Sequence, residues 1–183
     1  KLMYENIHIK EPKWKSWIIQ TTTPIFTPEQ CRQIIEAGRR QPPQQAQVGM
    51  GKPGGGTDTK KRVTTISWIP FNEMEPMYRD LYKFIQAANL NHFGFDDIRI
   101  TENAQFTEYP EGGFYDWHMD CDVNMAHEPP VRKISMTLLL NDPSEFEGGD
   151  LELMSPGKYQ PIKQGHAICF ASFINHRVNV VKR

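Results

Sequence analysis

The apolar positions of this chain change their spacing along its length, and the changes separate helical stretches from strand-rich ones. Residues 14–23, from Trp14 to Thr23, are aromatic and β-branched, which predicts a first strand. Thr27, Pro28 and Gln30 then make a helix start, with threonine as N-cap, proline in the first turn and glutamine at the capping-box position. Ile34, Ile35 and Ala37 supply part of its apolar face, and the stretch from Gly38 to Pro42 is expected to end it. A second strand is predicted over 63–69. Asn72 is a candidate cap for a second helix over 73–90, where Met74, Met77, Leu81, Phe84, Ile85 and Ala88 fall near helical spacing. That stripe is expected to pack on a sheet.

From about residue 98 the texture becomes short strands broken by turn signals. Strands are expected over 98–109, 114–121, 131–140, 150–154, 166–171 and 176–181, separated by proline, glycine and Asn-Asp clusters. Many short strands at this spacing predict an antiparallel sandwich or barrel, with the earlier helices bracing one sheet from outside. Residues 41–60 contain Pro42 and Pro43, a glutamine run and Gly54, Gly55 and Gly56, which predicts a long mobile loop. Such a loop is either a lid, for which 44–62 is the candidate, or a disordered insertion.

Length and composition narrow the class. At 183 residues the chain is expected to form one domain, with 1–97 as helical and strand support and 98–183 as the β core. Its net charge of −1 gives no electrostatic case for a nucleic-acid or membrane partner. No apolar run approaches the roughly 18 residues that span a bilayer. Cys31, Cys121 and Cys169 are odd in number and lack Cys-x-x-Cys spacing, which argues against a disulfide framework and a thiolate zinc site. The modest inference is a reducing, cytoplasmic setting.

The chemistry concentrates between Tyr109 and Asp120. In an extended strand, residues two apart point the same way, so His118 and Asp120 can converge on one ion. Alone, this pair is weak evidence, because most His-x-Asp pairs are solvated polar residues on a strand edge. His176 is a candidate third ligand. Two histidines and one carboxylate would leave one side of a metal open, an arrangement suited to non-heme Fe(II).

An ordered set of motifs surrounds these residues. Gln105 and Tyr109 come first, then Gly112, Gly113 and Tyr115 ahead of His118 and Asp120, then Arg132 to Ser135 leading to Asn141. Glu147 to Leu153, Gly165 to Phe170, and His176 to Val178 complete the series. The series resembles the 2-oxoglutarate- and Fe(II)-dependent dioxygenases, in their prolyl 4-hydroxylase-like branch. The resemblance is close over about 98–183 and loose before that. It implies a mostly β fold with supporting helices, a distorted double-stranded β-helix or jelly roll with the metal between its sheets. It implies His118, Asp120 and His176 as iron ligands and Tyr109 as a residue that reaches 2-oxoglutarate. It also implies Fe(II) and 2-oxoglutarate as cofactors, with ascorbate admitted beside them. The basic anchor for the distal carboxylate of 2-oxoglutarate is expected beyond Arg183, on a final strand.

For substrate, the resemblance favours a peptidyl proline in a protein or peptide, with 2-oxoglutarate converted to succinate and CO2. Trp68, Tyr115, Trp117 and Tyr159 could line a groove for an extended proline-rich segment, although core packing explains each equally well. The alternatives are hydroxylation of a free amino acid or other small molecule, and a non-enzymatic jelly-roll binding module. Lys60, Lys61 and Arg62 read as a solvated basic loop. His166 reads as structural, Arg132 and Ser135 as scaffold, and His8, His92 and His127 receive no role. Asp116 and Asp122 share strand parity with the ligand pair and are expected to be solvated. Gly148 and Gly149 are expected to permit a tight turn or bulge.

Overall fold

The first helix forms where its capping box dictates. In the computed structural model, which describes residues 13–46, 59–121, 130–157 and 162–183, α1 spans Pro28–Arg40. The Thr27 hydroxyl accepts from the Gln30 amide at 3.2 Å, and the Thr27 amide donates to Gln30 Oε1 at 2.9 Å. Such a cap is worth about 1 kcal/mol. The helix stops at Gln41, inside the stretch expected to end it. Gly38, in its last turn, is also a packing residue. A Cβ there would lie 2.2 Å from Cγ of Phe106, and Ser67 Oγ donates to its carbonyl at 2.7 Å.

The second helix, α2, spans Glu75–Ala88 and lacks a side-chain cap. Asn72 falls instead in a 3-10 turn, Phe71–Glu73. The proline within the first turn, Pro76, explains the later start, because it needs no amide partner there. A π-helical turn, Asn89–Phe93, extends the helix to Gly94, whose φ of 72° allows the reversal. Met77, Leu81 and Ala88 of the expected stripe are buried, and Met74, Phe84 and Ile85 are partly so.

The described residues form ten strands, numbered in chain order. They are β1 (Ile18–Gln20), β2 (Gln44–Gln45), β3 (Arg62–Val63), β4 (Thr65–Ile69), β5 (Ala104–Glu108), β6 (Phe114–His118), β7 (Ile134–Leu138), β8 (Leu151–Leu153), β9 (Ala167–Ala171) and β10 (His176–Val178). The strand expected over 98–109 begins only at Ala104. Before it, the Ile98 carbonyl accepts from Gln86 Nε2, so that segment is tied to α2 and not to a sheet. Gly148 and Gly149 adopt φ of 79° and 70°, and Gly148 bridges to Val181, in keeping with the turn they were expected to make.

All strand pairs are antiparallel. They form sheets ordered β1-β9-β7, β3-β6-β10-β8 and β2-β4-β5. Ile168 and Phe170 pack with Leu151, Leu153 and Ile174 in one core, where Trp17, Ile18 and Val178 join them. The opposite side of β9 carries Cys169, which packs with Ala88 and Phe93 at the end of α2. A third cluster joins both helices to β4 and β5 through Cys31, Ile34, Met77, Leu81, Ile69 and Phe106. The fold is thus a jelly roll braced by helices. No helix among the described residues is long and apolar enough to cross a membrane.

Of the candidate lid, residues 47–58 lie outside the described residues, as do His8, Asp122, His127 and Tyr159. Its two ends enter different sheets, through β2 beside β4 and β3 beside β6.

Gly38→Ala tests the close approach of helix and strand. Alanine gains roughly 1 kcal/mol of helix propensity, but overpacking against the Phe106 ring costs about 1–3 kcal/mol. Chemical denaturation should show a net loss of stability; a gain would mean that the ring yields freely.

Candidate metal centre

Pairing of β6 with β10 sets His118 directly opposite His176. Two positions after His118 the chain has left the strand, and the amides of Asp120 and Cys121 both donate to the Ser172 carbonyl, at 2.9 and 3.2 Å. Ser172 is fully buried and its hydroxyl lies 2.9 Å from that of Ser135. The tether turns Asp120 back toward the two rings. Asp120 Oδ1 stands 3.6 Å from His118 Nε2 and 3.5 Å from His176 Nε2. One donor atom from each of the three residues falls within a 4.8 Å group, the arrangement that would hold one cation.

The far nitrogens of both rings are committed to backbone. His118 Nδ1 donates to the Asp116 carbonyl at 2.7 Å, and His176 Nδ1 to the Ile174 carbonyl at 2.9 Å. Each bond fixes the tautomer whose Nε2 lone pair faces the shared point, the outer-sphere arrangement common to metal-binding histidines. The chemistry of the donor set, two neutral imidazoles and one carboxylate on one side, fits a divalent ion with open positions. Phe170 supports His176 from below, with ring centroids 4.6 Å apart.

Burial pulls the His118 pKa down to about 4, helped by the neighbouring His176 and only partly offset by the Asp116 carbonyl and Asp120. Tyr109, just after β5, has its hydroxyl end enclosed although the residue as a whole is half-buried. Burial pushes that hydroxyl up to about 12 against the opposing influence of Arg62, so it stays a neutral donor. Burial likewise raises Tyr115.

Two sequence expectations need correction. Strand β6 carries a bulge, with His176 opposite His118 but Val178 opposite Tyr115. Three steps on one strand therefore match two on the other, and simple alternation fails. Tyr115 stacks on His118 at 3.5 Å between ring centroids, while Asp116 serves the site through its carbonyl. Arg62, read as part of a solvated loop, is 7% exposed. Its Nε donates to Thr64 Oγ1 at 2.8 Å and its Nη2 to Gln105 Oε1 at 2.9 Å, and its guanidinium carbon lies 4.2 Å from the Tyr115 ring centre. In the structure Arg62, Thr64 and Ile66 are all buried.

The other candidates disperse. Trp117 sits under Arg177 at 4.9 Å, and Arg177 pairs with Glu152. Trp68 lies opposite Gln105 on β4, in a different sheet from the ligands. Arg132 makes a two-pronged ion pair with Glu102, and His166 Nδ1 bonds the Thr21 carbonyl at 3.2 Å.

Comparison with known proteins agrees with this geometry. Residues 104–183 match the model of the 2OG-Fe(II) oxygenase superfamily. A PKHD-type hydroxylase of Acidovorax ebreus is 33% identical over 84 residues, covering 43% of this chain and 37% of that protein. The chain thus spans little more than a third of that relative's length. A Pseudomonas putida prolyl-4-hydroxylase shares the fold with a TM-score of 0.65 at 20% identity, covering 91% of this chain and 86% of its own. The viral collagen prolyl hydroxylase of Paramecium bursaria Chlorella virus-1, solved with 2-oxoglutarate, gives 0.69 at 18% identity, over 91% and 90%.

The depressed His118 pKa makes metal-free stability depend on pH. The unfolded chain takes up a proton near pH 6.5, which the folded protein refuses until about pH 4. Stability should therefore fall as pH drops through that window, by up to about 1.4 kcal/mol per unit for one proton. Urea titrations of metal-free wild type and His118→Asn should differ in this slope; equal slopes would contradict it.

Proposed function

We propose that this chain, whose residues 104–183 match the model of the 2OG-Fe(II) oxygenase superfamily, is an oxygenase of that kind and hydroxylates a prolyl residue of a protein or peptide. The observation that carries the reading is the convergence of His118, Asp120 and His176 from separate strands onto one point. The prolyl specificity draws support from two structural neighbours that are themselves prolyl hydroxylases.

Bound Fe(II) with 2-oxoglutarate would supply the oxidising chemistry, in which O2 and 2-oxoglutarate become succinate, CO2 and one hydroxyl on the substrate carbon. The residues of the chain do the rest. His118 and His176 offer Nε2 while their Nδ1 protons stay on backbone carbonyls, and Asp120 supplies the compensating negative charge. All three would hold the ion from one side, which would leave the other side for co-substrate and substrate. Tyr109 presents a neutral, buried hydroxyl toward Arg62, Tyr115 and Asp120. On this reading it would donate a hydrogen bond to an oxygen of 2-oxoglutarate. Phe170 and Tyr115 pack on the histidine rings and keep water from that side.

The test is a mass-spectrometric screen of proline-rich peptides with Fe(II), 2-oxoglutarate and ascorbate in air. A responsive peptide should gain one oxygen atom on proline with matching succinate release, and His118→Ala should lose at least about a hundredfold in rate, since an iron ligand is gone. Oxygen gained by a free amino acid or small molecule, with peptides untouched, would redirect the substrate assignment.

A further inference from the structure

We infer that Arg62 is a positioning residue for the metal ligand His118, acting through the ring of Tyr115. The inference rests on the reading of His118, Asp120 and His176 as a metal site, and extends it to a residue that touches no metal.

Three observations meet here. The Tyr115 ring lies nearly parallel to the His118 imidazole, 12° apart with centroids separated by 3.5 Å. The Arg62 guanidinium sits over the same Tyr115 ring at 4.2 Å. The guanidinium cannot drift, because Thr64 and Gln105 hold two of its nitrogens and strand pairing places Arg62 directly opposite Tyr115. Arg62 is one of the few buried charged side chains of the described residues, and it enters no ion pair among them. Burying an unpaired cation is costly. Here the aromatic face and two neutral acceptors take the place of a carboxylate.

The bulge in β6 gives this stack its purpose. It interrupts the regular pairing just before His118, where Tyr115 lies against the imidazole. The Asp116 carbonyl fixes one edge of the imidazole. Tyr115, held by Arg62, fixes its face. A ring restrained on both counts keeps Nε2 aimed at Asp120 Oδ1 before any ion arrives, which lowers the ordering cost of binding.

The experiment is titration of the full chain with Co(II) in the absence of 2-oxoglutarate, followed by its visible absorption, at a temperature where circular dichroism shows each variant folded. Arg62→Met and Tyr115→Leu should each weaken Co(II) binding about tenfold, within the range seen when outer-sphere partners of metal ligands are lost. The double variant should be no weaker than either single one, because both break the same stack. Arg62→Lys keeps a cation over the ring and should bind within about threefold of wild type. Unchanged affinity in a folded Arg62→Met, or additive losses in the double variant, would overturn the inference. Should Arg62→Met not fold, Arg62→Lys and Tyr115→Leu decide: tight binding by the first and weak binding by the second support it, and any other pattern overturns it. Failure of the metal-site reading itself looks different, since wild type would then bind Co(II) no better than His118→Ala.

Discussion

The antiparallel pairing of β6 with β10 is the constraint from which the rest of this structure follows. It sets His118 and His176 face to face although they are 58 positions apart (176 minus 118). Neither histidine has value as a ligand without the other, and Asp120 joins them only because the Ser172 carbonyl receives two amides from the end of the same strand. Three donors brought together by tertiary structure alone link metal binding to folding, so an ion that prefers the folded chain stabilises it.

The layers around that pairing supply what the strands cannot. Phe170 presents one face of β9 to His176, while Cys169, its neighbour, packs against the end of α2. The helices therefore act on the site at one remove, by holding the sheet that holds the ring. The enclosure has an electrostatic consequence as well. Burial disfavours a proton on His118 and keeps Tyr109 and Tyr115 protonated, which leaves a neutral imidazole and two neutral hydroxyls beside one carboxylate. That balance favours a divalent cation over a proton at the shared point.

Local rules made much of this legible in the sequence. Thr27 and Gln30 announced their helix because a capping box is satisfied within four residues. The His118–Asp120 pair and the ordered motifs around it pointed to a metal site, and the three candidate side chains do come together in a group that could hold an ion. What escaped the sequence depends on partners far along the chain. The bulge that puts Tyr115, and not Asp116, against His118 arises from register with β10. Arg62 looked solvated because two lysines precede it, yet pairing with β6 draws it beneath Tyr115. Gly38 lies in the stretch that was expected to end the helix and does, but its close approach to Phe106, 68 positions later (106 minus 38), was not legible. Trp117 shared the motif of the metal candidates, but Arg177 lies over its ring.

The central claim is that His118, Asp120 and His176 together hold one divalent ion with half of its sphere vacant. A crystal structure grown anaerobically with Mn(II) and 2-oxoglutarate tests it most directly. The account predicts a single ion bound to His118 Nε2, Asp120 Oδ1 and His176 Nε2, with the oxo-acid completing the other side. An ion bound elsewhere, or one that engages only one of the two imidazoles, would contradict it.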